Sequence, residues 1–159
     1  MSLIVKSLVS IVVILCLGFV SGLVTRQAIP NWYSHLQKPS FNPPDWLFAP
    51  VWTILYIMIG LAFARIWHLY KDQKMFKIAI AFFIVQIILN FLWTQIFFGM
   101  KNVSLALAEI VLLWAMIMAC ILQFNKIDRT AAVLFIPYIL WVSFAALLNF
   151  MIWKLNPEL

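Results

Sequence analysis

The chain has 159 residues, of which 66% are hydrophobic, 16% are aromatic and only 10% are charged. A soluble domain carries about 25% charged residues, and a soluble fold of this size has too small an interior to bury so much apolar surface. The composition therefore excludes a soluble globular protein. The net charge of +6 fits membrane topology and anionic lipid headgroups better than nucleic acid, which we do not expect as a partner.

Charged residues divide the chain into five apolar runs, and a helix needs roughly 20 apolar residues to cross a bilayer. We therefore predict an all-α membrane protein: a bundle of five transmembrane helices with a long, partly structured first loop. The whole chain, residues 1–159, is expected to form one transmembrane domain. The predicted helices cover about residues 4–25, 46–68, 76–99, 103–124 and 130–153.

The first run follows Lys6 and resembles a signal peptide in its basic start. It is longer than a usual signal core and shows no clear small-x-small cleavage site before Arg26, so we expect a retained helix. Gly18 and Gly22 form a GxxxG pair, which permits close packing within the chain or dimerisation. Packing within the chain is the interpretation we prefer.

The long connection covers residues 26–45 and contains four prolines, which fix backbone angles and make the segment stiff. Trp32, Tyr33 and Phe41 are side chains of the kind that anchor at a membrane interface. Two interpretations remain open. The segment is either an interfacial connector or a lid over the outer end of the bundle.

Aromatic and amide side chains share one face on the second, third and fifth predicted helices. Amides are costly in lipid unless they find partners, so these faces should point into the bundle. Such stripes are often core packing, but together they also suit a wall for a flat, apolar ligand. The stripes contain Trp52, Tyr56, Gly60 or Ile59, Phe63 and Trp67; Gln86, Asn90, Trp93 and Phe97; and Pro137, Trp141, Phe144 or Ala145, and Leu148 or Asn149.

Three further residues inside the spans have two interpretations each. Glu109 is the only acid within a span, and it serves proton coupling or sits near an interface or a partner. Pro50 and Pro137 lie at or near helix starts, where they produce a tolerated kink or a bulge that widens a pocket.

Catalytic and metal-binding patterns are not apparent in the sequence. His35 and His68 are predicted on opposite sides of the membrane, so they cannot both coordinate one haem iron. Cys16 and Cys120 lie in apolar runs without a partner motif and are interpreted as small hydrophobic residues. We therefore expect no metal and no resident cofactor.

The loops differ in basic charge. The N-terminus and the second and fourth loops hold seven Lys and Arg residues, whereas the other side holds four. The positive-inside rule places the N-terminus in the cytoplasm and the C-terminus outside the cell membrane.

Three long motifs resemble the TspO/MBR family, the translocator protein or peripheral-type benzodiazepine receptor, called tryptophan-rich sensory protein in bacteria. The first is LQKPSFNPPDWLFAPVWTILY over residues 36–56. The second is LNFLW from Leu89, followed by FFG from Phe97, and the third is PYILWVSFAALLN over residues 137–149. The resemblance covers most of the chain from about residue 18 onward.

The resemblance implies a membrane receptor or sensor, often a homodimer, that binds porphyrins such as protoporphyrin IX and benzodiazepine-type ligands. It implies an intrabundle cavity that opens toward the first loop, with this loop as the lid. The ligand contacts it implies are Gly22, Tyr33, Pro43, Trp52, Tyr56, Asn90, Trp93, Phe97, Trp141, Phe144, Ala145 and Leu148. Two alternatives are light-dependent porphyrin degradation, with Trp52 and Trp141 implicated, and transport of tetrapyrroles or lipids.

The sequence departs from the animal pattern at two places. Animal members carry a cholesterol-recognition pattern with a Tyr and a following Arg, where this chain has Phe150 and Lys154. They also tend to have a Trp near the position of Leu105. The resemblance therefore does not extend to cholesterol recognition.

Overall fold

The computed structural model describes residues 1–158, and the regular elements in that range are helices. They are α1 (Leu3–Asn31), α2 (Phe48–Leu69), α3 (Gln73–Thr94), α4 (Val103–Asn125), α5 (Arg129–Leu134) and α6 (Ile136–Leu155). Five segments are long and apolar enough to cross a membrane, and the last of them combines α5 and α6. The predicted five-helix membrane bundle is thus confirmed.

The first loop is shorter than predicted, because α1 continues through Arg26 and ends only at Asn31. Pro30 lacks an N–H, but it stands in the last turn, where one missing hydrogen bond is tolerated. The helix closes with the Trp32 N–H donating to the Ala28 carbonyl at 2.9 Å. The connection to α2 is therefore residues 32–44 and the turn after them, rather than 26–45.

Helix α1 packs along one side of the bundle through a narrow stripe of buried residues. The stripe contains Ser10, Ile14, Ser21 and Ala28. The closest approach is at Gly60 of α2, where a Cβ would lie 2.7 Å from the Cα of Ile11. Only a glycine permits this approach of the two backbones. The GxxxG pair does not act as a unit, because a Cβ on Gly18 would meet the Tyr56 ring at 2.3 Å, whereas Gly22 faces open space.

The fifth span is broken at Phe135, between the end of α5 and the start of α6. Pro137 stands in the first turn of α6, where its missing N–H costs little. The proline lies away from the large cavity described below, so it marks a kink and not a widened pocket.

An ion pair and a cation–π contact close the end of the bundle that carries the N-terminus. Arg65 donates from Nε to the Asp128 carboxylate at 2.6 Å, and Nη2 donates to the second oxygen at 3.1 Å. This guanidinium holds the pKa of Asp128 below its usual range. Lys6 donates from Nζ to the Trp67 carbonyl at 2.8 Å and lies over the Trp67 ring.

Candidate ligand-binding cavity

A cavity of about 1040 Å³ lies in the half of the bundle that carries the first loop. Its walls come from α1, the start of α2, the ends of α3 and α6, and Tyr33 of the first loop. Helix α4 contributes no residue to the lining that the described chain shows. The parts of the predicted faces nearest the first loop thus meet around one space, and α1 forms its remaining side. The parts farther from this loop, such as Phe63 and Gln86, lie outside the lining.

Nine of the twelve residues that the family resemblance implies line this cavity. They are Gly22, Tyr33, Trp52, Tyr56, Trp93, Phe97, Trp141, Ala145 and Leu148. The other three lie close by but outside the lining. Asn90 accepts a hydrogen bond from the Tyr56 hydroxyl, on the side of Tyr56 away from the cavity. Phe144 packs against Trp141 and Phe41. Pro43 lies in the first loop, where its carbonyl accepts from the Asn42 side chain.

A relay of hydrogen bonds leads from the cavity wall into the core. The Tyr56 hydroxyl donates to Asn90 Oδ1 at 3.0 Å, and Asn90 Nδ2 donates to the Tyr138 hydroxyl at 2.9 Å. The Tyr138 hydroxyl in turn donates to Gln86 Oε1 at 3.0 Å. Because the Tyr56 proton is used in this relay, the lone pairs of its oxygen remain available as an acceptor.

A second buried amide fixes another part of the wall, around Trp93. Asn149 accepts from Trp93 Nε1 at 3.1 Å and donates to the Val103 carbonyl at 2.9 Å, and only 1% of the residue is exposed. These bonds hold the Trp93 indole in one orientation. The predicted burial of Gln86, Asn90 and Asn149 is confirmed, since each is at most 7% exposed.

A π-helical turn over Gln95–Gly99 ends the third span and shapes the aromatic wall. Met100 donates from its N–H to the Gln95 carbonyl at 2.8 Å, which is the wider spacing of a π-turn. The extra residue brings Phe98 onto the same side as Trp93 and Phe97, and all three line the cavity.

The first loop docks on this wall through Tyr33, which is 4% exposed and packs against Phe97 and Phe98. Its hydroxyl donates to Asn42 Oδ1 at 2.9 Å. Burial raises the pKa of Tyr33 to about 12, and the charge of Asp45 adds to this effect, while the bond to Asn42 opposes it. The hydroxyl therefore stays protonated at neutral pH.

The loop is also tied to the C-terminal end of α6. Asn156 Oδ1 accepts from the Gln37 N–H at 3.0 Å, and Asn156 Nδ2 donates to the Gln37 carbonyl at 2.9 Å. Two bonds from one side chain to one peptide fix the loop against the bundle. We call this pair the Asn156–Gln37 clasp.

Most of the α1 wall, including its charged member, was not predicted from the sequence. Arg26 and Asp45 both line the cavity at the first-loop end, and Arg26 follows Gly22 by one helical turn. The i, i+4 spacing from Gly22 could have indicated Arg26, but the residue was assigned to a loop instead.

Glu109 lies outside the cavity lining, and its carboxylate is buried without a hydrogen-bond partner among residues 1–158. Pairing of Glu109 within residues 1–158 is therefore wrong, whereas its placement near an interface stays a prediction. Within the same residues, no group of three His, Cys, Asp or Glu side chains is arranged to hold a metal ion.

A family model and several known proteins match this chain, and they point to one family. The TspO/MBR family model matches residues 10–154. The chain is 43% identical over 143 residues to the tryptophan-rich protein TspO of Chlorobaculum tepidum, covering 90% of each chain. It is 41% identical over 126 residues to the tryptophan-rich sensory protein of Cereibacter sphaeroides, covering 79% of this chain and 77% of that one. It is 34% identical over 140 residues to the translocator protein of Bos taurus, with 87% and 83% covered.

Proposed function

The chain belongs to the TspO/MBR family, and we propose that it is a membrane receptor or sensor for porphyrins such as protoporphyrin IX. Benzodiazepine-type apolar ligands are proposed to occupy the same cavity. The observation that carries the proposal is one cavity of about 1040 Å³ with Trp52, Tyr56, Trp93 and Trp141 in its walls.

The chemistry of the walls suits a large, flat and mostly apolar molecule. Pockets for drug-sized ligands usually measure about 300–1,000 Å³, so this cavity has room for a macrocycle. Trp52 and Tyr56 are stacked with ring centroids 5.3 Å apart, and Trp93 and Phe97 are stacked at 5.0 Å. Such paired rings offer flat surfaces against which a porphyrin face can stack.

The test is a titration of the purified protein in detergent with protoporphyrin IX, followed by the porphyrin absorbance. Replacing both Trp52 and Trp141 by Ala should weaken binding by about tenfold or more, because two stacking surfaces are lost. Trp153→Ala is the matched control, since Trp153 is exposed and lies outside the cavity lining. Unchanged affinity in the double variant would exclude this cavity as the binding site.

A second candidate function is light-dependent oxidation of the bound porphyrin. The observation that favours it is the presence of two indoles, Trp52 and Trp141, in the walls of one cavity. A light-excited porphyrin can exchange an electron with a neighbouring indole or pass its energy to dioxygen. Neither route needs a general base.

Illumination of the complex in air decides between binding alone and degradation. Degradation predicts that the porphyrin absorbance decays faster in the protein than in empty micelles, and that Trp52→Phe and Trp141→Phe slow the decay. Decay at the rate of free porphyrin in the same micelles would contradict this second candidate.

A further inference from the structure

Two charged side chains face the cavity among the described residues that line it, Arg26 on α1 and Asp45 before α2. Both residues are exposed at the open end, and neither forms an ion pair within residues 1–158. Among residues 1–158, the cavity therefore has a mostly apolar interior and a rim that carries one unpaired cation and one unpaired anion.

The rim and the interior are separated along α1 by the length of two helical turns. Gly18 touches the Tyr56 ring, and Arg26 follows it by eight residues, which is a rise of about 12 Å. Asp45 precedes Trp52 by seven residues on the facing wall. A flat, porphyrin-sized ligand that contacts Tyr56 and Trp52 would therefore have its outer edge at the rim, near Arg26 and Asp45.

We propose that Arg26 is a specificity-determining residue that selects ligands with a carboxylate on the edge of a flat apolar body. This inference rests on the proposed function, because it takes the porphyrin to occupy this cavity. A guanidinium offers a planar set of donors that match a carboxylate in a bidentate pair. Asp45 repels a carboxylate on its own side, so the acidic edge of the ligand turns toward α1.

Protoporphyrin IX and its dimethyl ester provide the test, because they share one ring system and differ in carboxylate charge. The wild-type protein should bind the acid about fivefold more tightly than the ester, as expected for one partly exposed charge pair. Arg26→Gln should weaken binding of the acid to the affinity of the ester or below it, because Asp45 still repels the carboxylate. The affinity of the ester itself should stay unchanged and report an intact cavity. Arg26→Lys should keep part of the preference, and Asp45→Asn should increase the affinity for the acid only.

Lys154→Gln is the control for general charge, since Lys154 is an exposed cation at the same end of the bundle but outside the cavity lining. It should leave the preference intact. Equal affinity of the wild type for acid and ester, or equal loss of both ligands in Arg26→Gln, would overturn the role of Arg26 while porphyrin binding stands. Absence of saturable binding for both ligands would overturn the proposed function together with this inference.

Discussion

The Tyr56 ring is held from three sides, and each contact limits how the cavity wall can change. Its hydroxyl bonds to Asn90, its face stacks on Trp52, and its edge lies where a Cβ of residue 18 would be. A close-packed side chain of this kind cannot yield to an added methyl group without strain.

Gly18→Ala is therefore predicted to destabilise the protein by about 1–3 kcal/mol and to weaken porphyrin binding, because the new Cβ would lie 2.3 Å from the Tyr56 ring. Gly22→Ala is the matched control one turn away, where nothing lies within 4 Å of the Cβ. Thermal unfolding in detergent compares the two. The prediction fails if both variants unfold at the temperature of the wild type.

Asp128 combines two roles, since its carboxylate pairs with Arg65 and also accepts from the Ala131 N–H at the start of α5. Asn keeps the capping role but loses the charge. Asp128→Asn should therefore lower stability by about 1 kcal/mol at pH 7. Asp72→Asn is the control, because Asp72 caps α3 in the same way and forms no ion pair in the described chain.

The effect of Asp128→Asn should depend on pH. The pKa of Asp128 is lowered in the folded protein, so the ion pair stabilises the fold above the ordinary value of 3.8 and is lost as the pH falls through the lowered value. Denaturation temperatures measured from pH 7 to pH 3 should show a difference between wild type and variant that shrinks once the pH falls below 3.8. A constant difference across this range would contradict the assignment.

The sequence predicts which side chains face inward better than it predicts their neighbours. Gln86, Asn90 and Asn149 had to be buried, because an amide without a partner is costly in lipid. Helical spacing identifies a face but not what stands in front of it, which is why Asn90 proves to lie behind Tyr56.

The ends of the elements were less predictable than the spans. Arg26 indicates where the apolar part of α1 ends, but the helix itself continues to Asn31. At 29 residues α1 is about 43 Å long, whereas a bilayer core is about 30 Å thick. The π-turn over Gln95–Gly99 has no local signal that distinguishes it from an α-helical turn. Both differences move aromatic or charged residues into the cavity wall.

The two hydrogen bonds of the Asn156–Gln37 clasp hold the first loop against the end of α6. Asn156→Ala should increase hydrogen exchange in residues 32–44 and speed both entry and release of porphyrin, because the loop loses two hydrogen bonds to α6. Asn31→Ala is the control, since the Asn31 side chain donates to the Gln27 carbonyl of its own helix and to nothing else in residues 1–158. Exchange mass spectrometry compares the variants. Equal protection in wild type and Asn156→Ala would show that aromatic packing alone holds the loop.

At the scale of the whole molecule, the bundle has two chemically different ends. The N-terminus and the second and fourth loops lie at the end with the Arg65–Asp128 pair, and they carry seven of the eleven Lys and Arg residues. The first and third loops and the end of α6 lie at the other end, where the cavity opens. We propose that the first of these ends faces the cytoplasm, since Lys and Arg are retained on that side during insertion.

Single cysteines test this orientation in a background with Cys16→Ala and Cys120→Ala. Ser40→Cys and Gln73→Cys are both at exposed positions, at opposite ends of the bundle, and neither changes the charge of a loop. A membrane-impermeant maleimide should label Ser40→Cys in intact cells, and Gln73→Cys only after permeabilisation. The reverse pattern, or equal labelling of both, would contradict the orientation. Labelling at Ser40 alone would place the cavity mouth with Arg26 and Asp45 outside, so that an anionic porphyrin reaches Arg26 without first crossing the bilayer.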